Sequence, residues 1–101
     1  MTPTIRERQL SSMRPPNGIV TAARLCESLD GLWTTQVRVS WRPEDWLTVY
    51  DYSGSNARTY KSASLAVEHV RSGYRYFGQV ILETQRREDS PPRPKRRSDT
   101  L

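Results

Sequence analysis

One histidine and one cysteine are present among the 101 residues, His69 and Cys26. A single cysteine excludes an intrachain disulfide. The pair cannot supply a four-ligand zinc site, and no spaced set of carboxylates resembles a calcium loop. The five glycines are scattered singly, so no glycine-rich loop cradles a phosphate. The chain also lacks a run of about 18 apolar residues that could span a membrane. Met1 to Leu10 holds no apolar stretch of the kind a secretory signal needs. These absences set the expectations of no metal, no cofactor and no membrane partner, in a reducing cytoplasm.

Nucleophilic catalysis requires an activated serine or cysteine beside a base that a third group orients. Cys26 is far from His69 in sequence, and His69 follows Glu68 inside a helical pattern, the ordinary setting of a partly exposed structural histidine. Glu44, Asp45 and Asp51 form the densest acidic group, which reads as a solvated face rather than an acid–base pair. The expectation is a non-enzymatic binding protein with no catalytic residues.

What is present is positive charge, and its placement matters more than its sum. The net charge is +5, and fourteen of the sixteen basic residues are arginine. Residues 1–17 carry Arg6, Arg8 and Arg14 against Glu7. Residues 84–101 carry Arg86, Arg87, Arg93, Lys95, Arg96 and Arg97 against Glu88, Asp89 and Asp99. The stretch between them is neutral. Arginine suits bidentate phosphate contact, and basic tails commonly meet nucleic acid or an acidic protein surface.

The nine aromatics, three of them tryptophan, all lie between Trp33 and Phe77, which places the core in the middle of the chain. A domain of this size buries only ~60% of the surface its unfolded chain exposes. Pro15-Pro16-Asn17-Gly18 marks a turn, so residues 1–17 are expected to be a disordered arm and order to begin at Gly18. Residues 88–101, with three prolines and seven charges, read as a disordered basic tail. A single α+β domain is assigned to residues 18–87.

Within that domain, Val20–Leu29 has two readings. As a helix it gathers Ala22, Leu25, Cys26, Leu29 and Trp33 on one face, and Ala22-Ala23-Arg24-Leu25 favours it by propensity. As a strand it forms a hairpin through a type I′ turn at Asp30-Gly31. The helix is the preferred expectation. Thr34–Trp41 alternates, with Val37, Val39 and Trp41 on one side and Gln36, Arg38 and Ser40 on the other, and is a half-buried strand. Pro43 interrupts it, Trp46–Tyr52 and Ala57–Lys61 are further strands, and Ser53–Asn56 is a loop. A helix capped by Ser62 or Ser64 runs to about Ser72 and stops at Gly73, laying Ala63, Ala66, Val67 and Val70 on the sheet. Tyr76–Thr84 is the last strand. The expected fold is a small, mainly antiparallel sheet with one or two helices on it, in the order α-β-β-β-α-β.

Two surfaces are candidates for recognition. Asn56–Gln79 interleaves Arg58, Lys61, Arg71 and Arg75 with Tyr60, Tyr74, Tyr76 and Phe77, the mixture that single-strand-binding surfaces use. The tail residues Arg93, Lys95, Arg96 and Arg97 add a basic arm for a phosphate backbone. Alternatively, Trp41, Arg42 and Trp46 form a tryptophan-rich loop of the composition that dominates protein interfaces. In size, missing catalytic residues and arginine-rich ends, the whole chain resembles the small accessory proteins of plasmids and phages, a likeness of type without a shared motif. The expected function is nucleic-acid binding, single- or double-stranded, with a protein-interaction module such as an inhibitor or assembly factor as the alternative. A homodimer is compatible with either.

Overall fold

The computed structural model describes residues 3–84; the C-terminal tail expected to be disordered lies outside the described residues. The chain forms β1 (Thr4–Arg6), α1 (Glu7–Leu10), β2 (Val20–Glu27), β3 (Trp33–Val39), β4 (Arg42–Tyr50), β5 (Thr59–Tyr60), α2 (Ala63–Ser72) and β6 (Val80–Glu83). The α+β class holds, with two corrections to the order of elements.

The first concerns Val20–Glu27, which is a strand and not a helix. It pairs antiparallel with β3, from Val20↔Val39 to Glu27↔Trp33, and parallel with β6, from Ala23↔Val80 to Cys26↔Glu83. Ladders on both edges outweigh the helical preference of an alanine-rich run, because strand preference is set mainly by pairing and packing. Ala23 and Leu25 are buried, as period-2 alternation requires. The connection to β3 is the hairpin alternative, with a different turn. Gly31 N–H donates to Ser28 O at 2.9 Å, and Ser28 N–H donates to Leu32 O at 2.8 Å. Only Gly31, at φ +85°, enters the left-handed region, whereas a type I′ turn would need Asp30 there too.

The second correction concerns residues 1–17. Rather than a disordered arm, Thr4–Arg6 pairs parallel with Thr48–Tyr50 of β4, and α1 follows at once. Ile5 and Leu10 are 1% and 0% exposed, in the same cluster as Val37, Val39, Val49 and Val70. Two apolar side chains five residues apart among charged neighbours make no periodic signal, yet both are core.

The strand order is β1-β4-β3-β2-β6, with β5 also paired to β3. The three inner pairings are antiparallel and the two outer ones, β1 with β4 and β2 with β6, are parallel. The sheet is therefore mixed. Each outer strand is separated from its partner by a long stretch of chain, so nothing forces the reversal that a tight hairpin imposes. Strand β5 meets Trp33 and Thr34 at the start of β3, where β4 has turned away.

Helix α2 matches the sequence expectation. Ser62 Oγ accepts from Leu65 N–H at 3.2 Å, Gly73 follows the last helical residue, and Ala66 and Val70 are fully buried. The helix and α1 cover one sheet face, formed by Ile5, Ala23, Leu25, Thr35, Val37, Val39, Leu47 and Val49. Thr35 lies in this row with its Oγ1 buried and unpartnered.

Because β1 and α1 supply core residues, Ile5→Ala and Leu10→Ala should each destabilise the protein by about 2–5 kcal/mol. Urea unfolding of the two variants and the parent measures this. Losses below about 0.5 kcal/mol, the range of ordinary surface substitutions, would mean the N-terminal segment does not belong to the core.

Candidate functional site

The sheet face turned away from the helices carries the odd partners of the buried alternation. Register aligns Arg24 with Gln36 and Gln36 with Thr48, one row across β2, β3 and β4. Arg24 Nε donates to Gln36 Oε1 at 2.6 Å, and Gln36 Nε2 donates to Thr48 Oγ1 at 3.1 Å. The row is thus a fixed polar track. Next to it stands Trp46, whose ring lies 4.4 Å from the Arg24 guanidinium carbon and 4.9 Å from that of Arg38. Both are within cation–π range.

The position of Trp46 follows from an irregularity in β4. Between the pairs Val37↔Leu47 and Val39↔Arg42, Pro43, Glu44, Asp45 and Trp46 stand opposite Arg38 alone. An outsized bulge of this kind re-aims side chains and tolerates Pro43, which has no N–H to offer a ladder. The proline, expected to break the Thr34–Trp41 strand ahead of one starting at Trp46, instead sits in the bulge inside β4. Arg24 also lies 3.7 Å from Glu83 Oε2, a partly exposed ion pair of small energetic consequence. Arg38 is exposed and makes no ion pair among the described residues.

Most of the sequence-derived nucleic-acid residues lie elsewhere. Tyr74 is 1% exposed and belongs to the core, so it cannot stack on a base. Its hydroxyl donates to Glu7 Oε2 at 2.9 Å. Arg58 Nε and His69 Nε2 approach the same oxygen at 3.5 and 3.3 Å, and Tyr60 OH is 2.5 Å from His69 Nδ1. Burial, before any neighbouring group, pushes the Tyr74 phenol far above its ordinary value, so it stays a donor. This constellation ties α1 to α2 and β5, and it engages Arg58 and His69. His69 is thus oriented by two partners, which sequence reasoning missed because Glu7 lies in the segment taken for an arm. Cys26 is on the other side of the sheet, with Sγ 3.7 Å from Gln36 Oε1, so the chain's cysteine and histidine are not neighbours.

Arg71 Nη1 donates to Tyr76 O and Gly78 O at 3.2 and 2.8 Å, and Tyr76 OH donates to Gln79 O at 2.7 Å. Both side chains brace the turn into β6, in which Tyr76 lies outside the strand expected to hold it. Lys61 and Arg75 are exposed. Arg93, Lys95, Arg96 and Arg97 lie outside the described residues. The tryptophan-rich loop is also divided. Trp41 packs on the core, close enough to Gly18 that a Cβ there would sit 2.7 Å from its ring. Arg42 Nη1 donates to Thr4 O at 3.0 Å, holding β1. Only Trp46 of the three remains on an open surface, where it joins Arg24 and Arg38. The alternation of Thr34–Trp41 had put Arg38 and Gln36 on the outer side; Arg24 was hidden by the helical reading of its strand.

Two outcomes follow. Tyr74→Phe removes the buried donor to a carboxylate and should cost about 1–3 kcal/mol by urea unfolding, with the fold kept. Burial raises the Cys26 thiol above its ordinary value, opposed by Arg24 and assisted by Glu83. A raised value leaves less thiolate at a given pH, so the pH midpoint of thiol labelling should lie higher in native than in unfolded protein. Coinciding midpoints would contradict this.

No family model, curated protein or solved structure matches the chain, and the functional reading is built on this geometry alone.

Proposed function

We propose that the protein binds nucleic acid through the helix-free face of its sheet. The observation that carries this reading is the stack of Arg24, Trp46 and Arg38 beside the Gln36–Thr48 track. Indole and guanidinium planes both stack on bases, and arginine adds phosphate contact. Topology supports the same surface. Strand β6, which borders the Arg24-bearing β2, ends at Glu83, and Arg86 and Arg87 follow it in the sequence. The 56–79 surface has no part in the proposal, since Tyr60 and Tyr74 are buried and Arg58 and Arg71 are engaged.

A protein partner is the second reading. Ile81 and Leu82, each about half exposed on edge strand β6, favour it, as do the exposed acids Glu44 and Asp45 on the bulge. An edge strand offers unpaired backbone groups for strand addition.

The test is a salt titration of fluorescent single- and double-stranded oligonucleotides. Contacts to about four to six phosphates would lower affinity roughly a hundredfold or more between about 50 and 200 mM salt. Trp46→Ala should weaken single-strand binding by about 1–3 kcal/mol, the usual loss for one stacked base. Arg38→Glu should weaken both oligonucleotides, and removing residues 93–97 should flatten the salt slope. Absence of binding at the low salt, or binding that Trp46→Ala and Arg38→Glu leave intact, would discard this reading in favour of a protein partner.

A further inference from the structure

On the opposite side of the molecule, α1 and the end of α2 leave a recess of about 420 Å³ floored by Leu10 and lined by Ser11, Ser12, Arg14, Ser72 and Arg75. Two of these side chains carry positive charge, and no carboxylate is part of the lining. Like charges drawn together in a partly enclosed space repel unless an anion compensates them.

The two arginines are held there by different means. Arg14 is fixed by carbonyls: Nε and Nη2 donate to Leu10 O at 3.1 and 2.7 Å, and Nη2 also donates to Tyr74 O at 2.6 Å. Its Nη1 makes only a long contact to Gly18 O, at 3.4 Å. Carbonyls satisfy its N–H groups without neutralising it. Burial, and then the charge of Arg75, lower the affinity of Arg14 for its proton, which is the direction that an unbalanced pair of cations produces. Arg75 is held by its backbone, at φ +57° in the left-handed region that non-glycine residues rarely occupy. Its exposed guanidinium makes no hydrogen bond or ion pair among the described residues. The hydroxyl of Ser12 pairs with Tyr52 OH at 2.6 Å; with the tyrosine as donor, the serine proton is left for another acceptor.

From the two uncompensated guanidiniums and the hydroxyl at one recess, we infer a binding site for a phosphate monoester or inorganic phosphate. A compact dianion with several acceptor oxygens takes the remaining Nη1 donor of Arg14, a guanidinium edge of Arg75 and the serine proton together. A diester within a continuous strand carries one charge and must enter and leave, which suits the open sheet face better than a recess. The site is separate from the Trp46 face and does not depend on the nucleic-acid reading. Its ligand has two sources, free phosphate or the terminal phosphate of a strand.

The experiment uses the full chain, with thermal unfolding followed in inorganic phosphate and in chloride at equal ionic strength. Oligonucleotides with a 5′-phosphate or a 5′-hydroxyl are compared in parallel. Arg14 is unsuitable for substitution, because its loss strips three carbonyls of their donor. Arg75→Gly suits the purpose, since glycine takes φ +57° without strain and the fold is retained. Phosphate is expected to raise the midpoint above the chloride value in the parent, and that rise is expected to vanish in Arg75→Gly. By direct titration the variant should bind about tenfold or more weakly, the effect of one lost charge-assisted bond. The Trp46→Ala variant should keep the full phosphate response. A response to inorganic phosphate identifies a free-phosphate site, whereas a preference limited to the 5′-phosphorylated strand identifies the terminal group. Equal midpoints in phosphate and chloride with no preference between the two oligonucleotides, or an undiminished response in Arg75→Gly, overturn the proposal.

Discussion

A sheet that has one helix of ten residues and a single further helical turn to cover it can bury only one of its faces. The covered face must be apolar, and it is: Ile5, Leu25, Val37, Val39, Leu47 and Val49 are almost wholly shielded beneath α1 and α2. The other face must live with water while its strands remain paired. Polar and long side chains meet that requirement, and the guanidiniums of Arg24 and Arg38 stand over the indole of Trp46 in cation–π contact. The exposed polar face is thus the form in which a one-sided sheet tolerates water. The specific feature is the bulge in β4, which spends four residues opposite Arg38 to turn an aromatic onto that face.

The same shortage of covering material explains why the N-terminal segment is built into the fold. Helix α2 buries Ala66 and Val70, but the far end of the sheet, at β4, lies beyond its reach without Ile5 and Leu10. Glu7 then fixes α1 in place, because one carboxylate oxygen is approached by Tyr74, His69 and Arg58 from two later elements. A buried hydrogen bond to a carboxylate and a partly exposed ion pair differ in worth. The first contributes of order 1–3 kcal/mol, whereas the Arg58 contact, with its side chain 43% exposed, is screened by water and adds little.

Sequence legibility followed the range of the interactions. Local signals read correctly: the Ser62 cap, the Gly73 stop, the Ala66 and Val70 face, and the alternation of Val37 and Val39 each depend on residues within one turn or a few strand positions. The errors all involve distant partners. Val20–Glu27 carries a helical composition and becomes a strand because β3 and β6 pair with both its edges. Ile5 gives no periodic signal and is core because β4, more than forty residues later, aligns Val49 beside it. Tyr74 looked like a surface aromatic amid arginines, and the carboxylate that receives its hydroxyl lies 67 residues away. For the site, the alternation of β3 made Arg38 and Gln36 legible. The meeting of Arg24 with Trp46 depends on two strand pairings and one bulge, which no window of the sequence contains.

The placement of arginine gives the last step. Fourteen arginines in so short a chain invite a single electrostatic explanation, yet the described ones do different work. Arg14, Arg42 and Arg71 donate to backbone carbonyls of Leu10, Tyr74, Thr4, Tyr76 and Gly78, and so replace the secondary structure that irregular segments lack. Five donors in a rigid fork make arginine suited to that role, which lysine's compact ammonium would fill poorly. Arg58 is bound to Glu7, whereas Arg6, Arg8, Arg38 and Arg75 have neither a carbonyl nor a carboxylate side-chain partner among the described residues. An arginine without a structural partner retains its whole donor fork for a ligand. Arg38 stands on the open sheet face, Arg75 at the recess beside α1, and Arg6 and Arg8 on the β1–α1 segment, and these positions, more than the net charge, locate where the folded part of the chain can hold an anion.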